Sequence, residues 1–211
     1  MKYLFLAITF ICIVLFWFAV QRKLAVIVYI VWSLIISAAA FSGFFIQFPP
    51  SFGLTLLGTV FTVFYCTKLL ADSMVNVYLL LAIHVVRIPV EFILFALFQA
   101  KILPREMTFI GWNFDLIFGI TALIFLIGSS FNRKIFNSQL FILWNIFGIC
   151  SLSIVITLGI LSSPLPMQMM GYNQPNIAVL QFPYALLPNL IVPFIILSHI
   201  LLLRNLITSR A

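Results

Sequence analysis

Seven apolar runs of roughly 20 residues, separated by short polar breaks, make up almost the whole chain. A hydrocarbon core of ~30 Å is crossed by about 20 residues of helix, so each run predicts one membrane-spanning helix. The runs lie at about 3–20, 24–48, 53–71, 77–99, 108–129, 138–162 and 177–203. The breaks carry turn formers and charges: Gln21-Arg22-Lys23, Pro49-Pro50-Ser51, Asp72-Ser73, Lys101 to Glu106 around Pro104, Asn132-Arg133-Lys134, and a longer Ser162 to Asn176 loop with three prolines. Small-residue pairs such as Ser33/Ser37 and Ala39/Gly43 offer close helix contacts. With no repeat, linker or soluble segment in view, residues 1–211 read as one all-α integral membrane bundle of seven transmembrane helices.

Composition sharpens that reading. Hydrophobic residues form 64% of the chain and charged residues 7%, against roughly a quarter charged in a soluble domain. There are too few charges to cover a water-facing surface, which excludes a soluble enzyme, a disordered tail and a nucleic-acid-binding domain. The net charge of +7 is spread between the runs and reads as topology. Arg22, Lys23, Lys68, Arg133, Lys134, Arg204 and Arg210 fall on one side of the seven spans; Lys2, Lys101 and Arg105 fall on the other. Seven against three places the amino terminus and the 162–176 loop outside and the carboxyl terminus in the cytoplasm. Met1 to Val20 has some character of a signal peptide, but no small-x-small cleavage site follows and Arg22-Lys23 comes directly after it. It reads as a retained first span.

Ionisable residues inside a span are costly unless they face the bundle interior, and the fourth run holds three of them. His84, Arg87 and Glu91 lie within about 60° of one another at 100° per residue, a single stripe rising ~10 Å. Arg87 and Glu91 have the i, i+4 spacing of a helical ion pair, and Pro89 between them predicts a kink. The fifth run adds Asn113 and Asp115. If it starts near Thr108, Glu91 and Asp115 share a depth of ~12 Å below the outer surface, within reach of Arg87 a turn deeper. Two acids then face one guanidinium, which leaves one carboxylate to take up a proton, a metal cation or an amine.

The seventh run contributes Gln181, Tyr184 and Asn189 among three prolines, Pro183, Pro188 and Pro193. Repeated proline predicts a bent or broken helix of the kind that flanks transporter cavities. These residues together predict an outward-facing polar pocket, walled by the fourth, fifth and seventh spans and roofed by the 162–176 loop. The competing reading is an ion-pair network that only locks helices together. His84 and His199 are candidate axial ligands for a haem, but helical counting puts them ~22 Å and ~33 Å deep, a poor match for one iron. Met167, Met169 and Met170 carry thioethers that suit a soft cation, without Cys or His beside them. Cys12, Cys66 and Cys150 lack metal-site spacing and read as packing residues. No cofactor is expected, and no phosphate-binding, metalloprotease or hydrolase motif is present.

Arg87-Ile88-Pro89-Val90-Glu91, Met107-Thr108-Phe109, Asn113-Phe114-Asp115, Trp144-Asn145 with Gly148, Pro175-Asn176, Phe182-Pro183 and the stretch from Pro193 to His199 together resemble a family of uncharacterised bacterial seven-span membrane proteins. That family pairs an R-x-P-x-E helix with an M-T-F-x-G-x-N-F-D entry, and the similarity covers residues 77 to 205. Gly111-Trp112 stands where members often carry Gly-Arg, which removes a cation from the polar region. The resemblance implies a bacterial inner-membrane location and brings no activity with it.

The expected function is binding or transport of a small solute or proton. Glu91 and Asp115 are the acceptors, Arg87 the fixed counter-charge, and Asn113, Tyr184 and Asn189 further ligand-binding positions; His84, Gln181 and His199 are secondary candidates. The expected partners are the lipid bilayer, the solute or proton, and a second copy or another membrane protein, with no nucleic acid. An accessory, scaffold or sensor subunit is the alternative. A lipid or quinone enzyme using His84 or Glu91 as acid or base ranks below both, because no nucleophile accompanies them.

Overall fold

The computed structural model describes residues 1–132, 135, 136 and 138–208. Among the described residues are nine α-helices: α1 Lys2–Ala19, α2 Lys23–Phe41, α3 Phe44–Gln47, α4 Pro50–Leu69, α5 Val77–Val85, α6 Arg87–Gln99, α7 Asp115–Phe131, α8 Gln139–Ser162 and α9 Val192–Thr208. No strand occurs among the described residues, only one isolated bridge between Val20 and Val75. Among the described residues six segments are long and apolar enough to cross a membrane: α1, α2, α4, the α5–α6 unit, α8, and Leu187–Ile207; α7 is shorter at 17 residues. Arg133, Lys134 and Arg210, three of the cations used to orient the chain, lie outside the described residues.

Local chemistry sets the boundaries. Asn76 caps α5 by accepting from the amides of Tyr78 and Leu79, and Ser138 caps α8 by accepting from that of Phe141. Pro89 cannot donate to the carbonyl four residues back, and its ring crowds that turn. The α5–α6 unit accordingly breaks at Val86, where the Val86 amide reaches back only three residues, to Ile83. Before α9 the chain is irregular: a short 3-10 turn at Ala178–Leu180, a cis Phe182–Pro183 bond, and a widened π turn at Leu187–Ile191. Pro193 withholds the amide that would close a normal helical turn onto the Asn189 carbonyl.

Alternate connections gather at two ends. At one end Asn76 donates its amide to Ala19, and Arg204 donates to the carbonyls of Leu70 and Ser73. At the other, Gln174 donates to the carbonyls of Phe98 and Leu103, and the Ala178 amide to Ile102. The 162–176 loop therefore does cover the α6 terminus. The 177–203 run sits centrally: Phe194 stacks on Phe16 at 4.3 Å and meets Tyr29 edge-on at 5.0 Å. Helix association inside a bilayer rests on such packing rather than on a hydrophobic driving force. The outer surface carries large exposed apolar side chains, among them Phe10, Phe61, Phe64, Ile124 and Phe147. Cys12 and Cys66 are buried as packing residues, whereas Cys150 is exposed on α8.

Gly119 lets α7 lie directly on the α5–α6 break. A Cβ there would stand 2.7 Å from Ile88 Cγ1 and 3.1 Å from the Ile88 backbone nitrogen. Gly119→Ala is expected to lower stability by about 1–3 kcal/mol through overpacking, read as a lower midpoint in denaturant unfolding of the purified protein. An unchanged midpoint would mean that the two segments do not meet this closely.

Candidate functional site

The chain between α6 and α7 places the polar residues. It does not start helix at Thr108, as the apolar run suggests, but descends irregularly through a short 3-10 turn at Arg105–Met107 before α7 begins at Asp115. Gly111 permits the fold-back, since a Cβ there would stand 2.3 Å from the Arg105 carbonyl oxygen. The descent takes Asn113 into the bundle, where its Nδ2 donates to Glu91 Oε1 at 2.6 Å and to the Met107 carbonyl at 3.1 Å. Its Oδ1 accepts from the Asp115 amide at 3.0 Å and so fixes the start of α7. Asn113 thus links Glu91 to the start of α7, through irregular backbone rather than helix. A carboxylate in the first turn also sits favourably against the positive end of the helix dipole.

Arg87 Nη2 lies 3.3 Å from Asp115 Oδ1, and its guanidinium lies 5.2 Å from the centroid of Phe118. Ser151 of α8 donates to the same Asp115 oxygen at 3.1 Å. Arg87 therefore pairs with Asp115 across helices rather than with Glu91 along its own. Arg87 and Glu91 are each 1% exposed. Arg87 Nε and Nη1 and Glu91 Oε2 have no hydrogen-bond partner among the described residues. The outward-facing pocket was expected between the fourth, fifth and seventh spans; the charged side chains are instead buried among α6, the 107–115 turn, α7 and α8.

The break at Val86 divides the predicted stripe. His84 turns to His199 of α9, with ring centroids 4.0 Å apart, and both rings pack on Trp144 at 5.1 and 5.2 Å. The calculated mismatch in depth is overturned. Residues 177–186 form a 3-10 turn and irregular chain rather than α-helix, so a rise of 1.5 Å per residue does not hold over them. His199 Nδ1 meets Asn145 Oδ1 at 2.9 Å, while His199 Nε2 and both His84 nitrogens lack a partner among the described residues. Gly148 makes room for the pair, since a Cβ there would stand 2.4 Å from His199 Nε2. At 4.0 Å between centroids no macrocycle plane fits between the rings, so they are not set as two axial haem ligands. Among the described residues no three His, Cys, Asp or Glu side chains group around a metal position.

The remaining candidates lie apart. Tyr184 packs edge-on against Phe5 at 5.3 Å in the apolar core. Asn189 donates to the Ala185 carbonyl and accepts from Thr59 at 2.6 Å, joining the π turn to α4. Gln181 is half-buried in the turn before α9. Met167 and Met169 are exposed on the loop. Asn145 and Ser151, which sequence reasoning did not name as site residues, complete the polar centre from α8. They lie about 120° apart around α8, among further polar residues such as Ser153 and Thr157, and nothing in the spacing marked them out.

These features define a helical bundle with six segments long and apolar enough to span a membrane, and a buried polar centre. The chain belongs to the family of the domain of unknown function DUF8737, which it matches over residues 43–207. No curated protein and no solved structure matches it.

Breaking a buried ion pair from one side leaves an uncompensated charge, at a cost of about 3–5 kcal/mol, whereas replacing all its members by apolar groups is often neutral. Arg87→Leu alone is therefore expected to destabilise the protein by about that amount, and Arg87→Leu combined with Glu91→Leu and Asp115→Leu to recover most of it. Equilibrium unfolding of the variants checks this; strictly additive losses would mean that the three groups are uncoupled.

Proposed function

We propose that the protein is a seven-span bacterial inner-membrane protein, amino terminus outside and carboxyl terminus cytoplasmic, that binds or moves a proton or small solute at the Arg87–Glu91–Asp115 centre. In this reading α7 is the additional span. It is shorter because its outer part is replaced by the descending 104–114 segment, which brings Asn113 and Asp115 to the level of Glu91.

The observation that supports the reading is unused hydrogen-bonding capacity in a sealed, charged place. One guanidinium faces two carboxylates, and Arg87 Nε and Nη1 and Glu91 Oε2 are left without partners among the described residues. Orphaned buried polar atoms cost about 1–3 kcal/mol each, and more when charged, so water or a ligand is expected to fill the gap. Arg87 keeps its proton and acts as the fixed charge. Asp115 is committed to Arg87, Ser151 and the start of α7. Glu91, held by one hydrogen bond through one oxygen, is the exchangeable acceptor. The His84–His199 pair, with three nitrogens lacking a partner among the described residues, lies beyond the aromatic rings of Phe118 and Trp144, which pack together at 6.1 Å. Imidazoles are the side chains best suited to hand protons on near neutrality.

The test is proton flux and pH-dependent ligand binding with the full chain in liposomes. Glu91→Gln is expected to abolish both while the protein stays folded, and Asp115→Asn to weaken both. Unchanged flux and binding in both variants would reject this function and favour a centre that only fastens helices.

A further inference from the structure

We infer that the protein holds a bilayer phospholipid by one acyl chain in a slot between α4 and α8, with Asn176 accepting a hydrogen bond from its headgroup. This rests on the membrane location proposed above, but not on proton or solute handling.

The slot is a cavity of about 220 Å³. α4 from Phe52 to Val63 forms one wall, α8 from Val155 to Ile160 with Ser163 just past its end the other, and the π turn and start of α9 the floor. α4 and α8 each pack on α9. Pro188 and Pro193, which interrupt the regular helix, line the floor between them. At 1.5 Å per residue, Phe52 to Val63 spans about 16 Å, roughly half of a ~30 Å hydrocarbon core. Leu57 and Val60 line the slot and yet are 68% and 66% exposed, so its open side faces the medium around the helices. For a helix in a bilayer that medium is acyl chain.

The lining is polar at the loop end only, where Ser163 and Asn176 lie. Thr59, midway, is already engaged with Trp32, Thr55 and Asn189. Ser163 spends its hydroxyl on the Gly159 carbonyl at 2.6 Å. Asn176 is 0% exposed, its Nδ2 is directed to the Gly159 carbonyl, and its Oδ1 has no partner among the described residues. The site therefore asks for a hydrocarbon chain with a hydrogen-bond donor at the headgroup level. Phospholipids with an ammonium or glycerol headgroup meet that description; a choline headgroup has no such donor. Water alone does not complete the site, because an apolar slot of this kind favours a chain over solvent.

The slot is separate from the charged centre. Met107 closes it on that side, with Sδ accepting from Ser162 at 3.5 Å and its carbonyl accepting from Asn113. A lipid experiment therefore reads the slot without reading Glu91.

The experiment uses the full chain in nanodiscs containing phosphatidylethanolamine with a photoactivatable group on one acyl chain, against the matching phosphatidylcholine. Labelling is expected to concentrate on peptides from α4 and α8, with the ethanolamine probe favoured about fivefold, the factor one hydrogen bond supplies. Asn176→Leu should remove that preference. Val60→Trp, at an exposed position that leaves the core intact, should block the slot and reduce α4 and α8 labelling while labelling of α1 persists. Labelling spread evenly over the exposed helices, full labelling in Val60→Trp, or a crosslinked dimer joined through α4 and α8 would each overturn the assignment.

Discussion

Arg87 is the constraint around which the interior is arranged. A guanidinium keeps its charge at any ordinary pH, and at 1% exposure it has no route to water, so the fold must supply anions at its own depth. The nearest acid on its own helix, Glu91, does not take that role. Asp115 does, delivered by a segment that abandons helical structure in order to reach it. The Asp115 amide on Asn113, Gly111 at the fold-back and Gly119 against Ile88 are consequences of that delivery. Each removes an obstacle to bringing the first turn of α7 onto the broken α5–α6 unit.

Pro89 belongs to the same logic. By breaking the helix at Val86 it frees two polar side chains three residues apart to serve different neighbours. His84 goes with His199 and Trp144, and Arg87 with Asp115 and Phe118. An unbroken helix would aim both at nearly the same azimuth. The break thus converts one stripe into two adjoining polar sites, the charged one backed by α7 and the imidazole pair by α8 and α9.

Six apolar segments long enough to span a membrane were legible in the sequence, as were the ends of the 77–99 and 138–162 runs to within a residue, because apolar run length is a local signal, and the charged residues stood out because charge is excluded from hydrocarbon. Position along the bundle was legible only where the chain is helical. Helical counting failed for His199, because residues 177–186 form no α-helix and the π turn at Leu187–Ile191 alters the register. The prolines announced an irregularity but not its geometry. Tyr184 and Asn189 were drawn into the site by that same assumption; one is apolar packing against Phe5 and the other a tie between α4 and the π turn. Asn145 and Ser151 were missed since a single amide or hydroxyl in an apolar helix often satisfies itself on its own backbone, as Asn145 Nδ2 does on Phe141.

Met107 gives the two cavities a common wall. Its carbonyl holds Asn113, which in turn holds Glu91, while its side chain lies against Gly159 and Ser162 at the edge of the apolar slot. The Gly159 carbonyl also receives Ser163 and Asn176. The Arg105–Met107 turn thus meets the Asn113–Glu91 pair through the Met107 backbone and the edge of the slot through the Met107 side chain. That wall is a turn of irregular chain, buried at Met107 alone, where regular helix would have been expected.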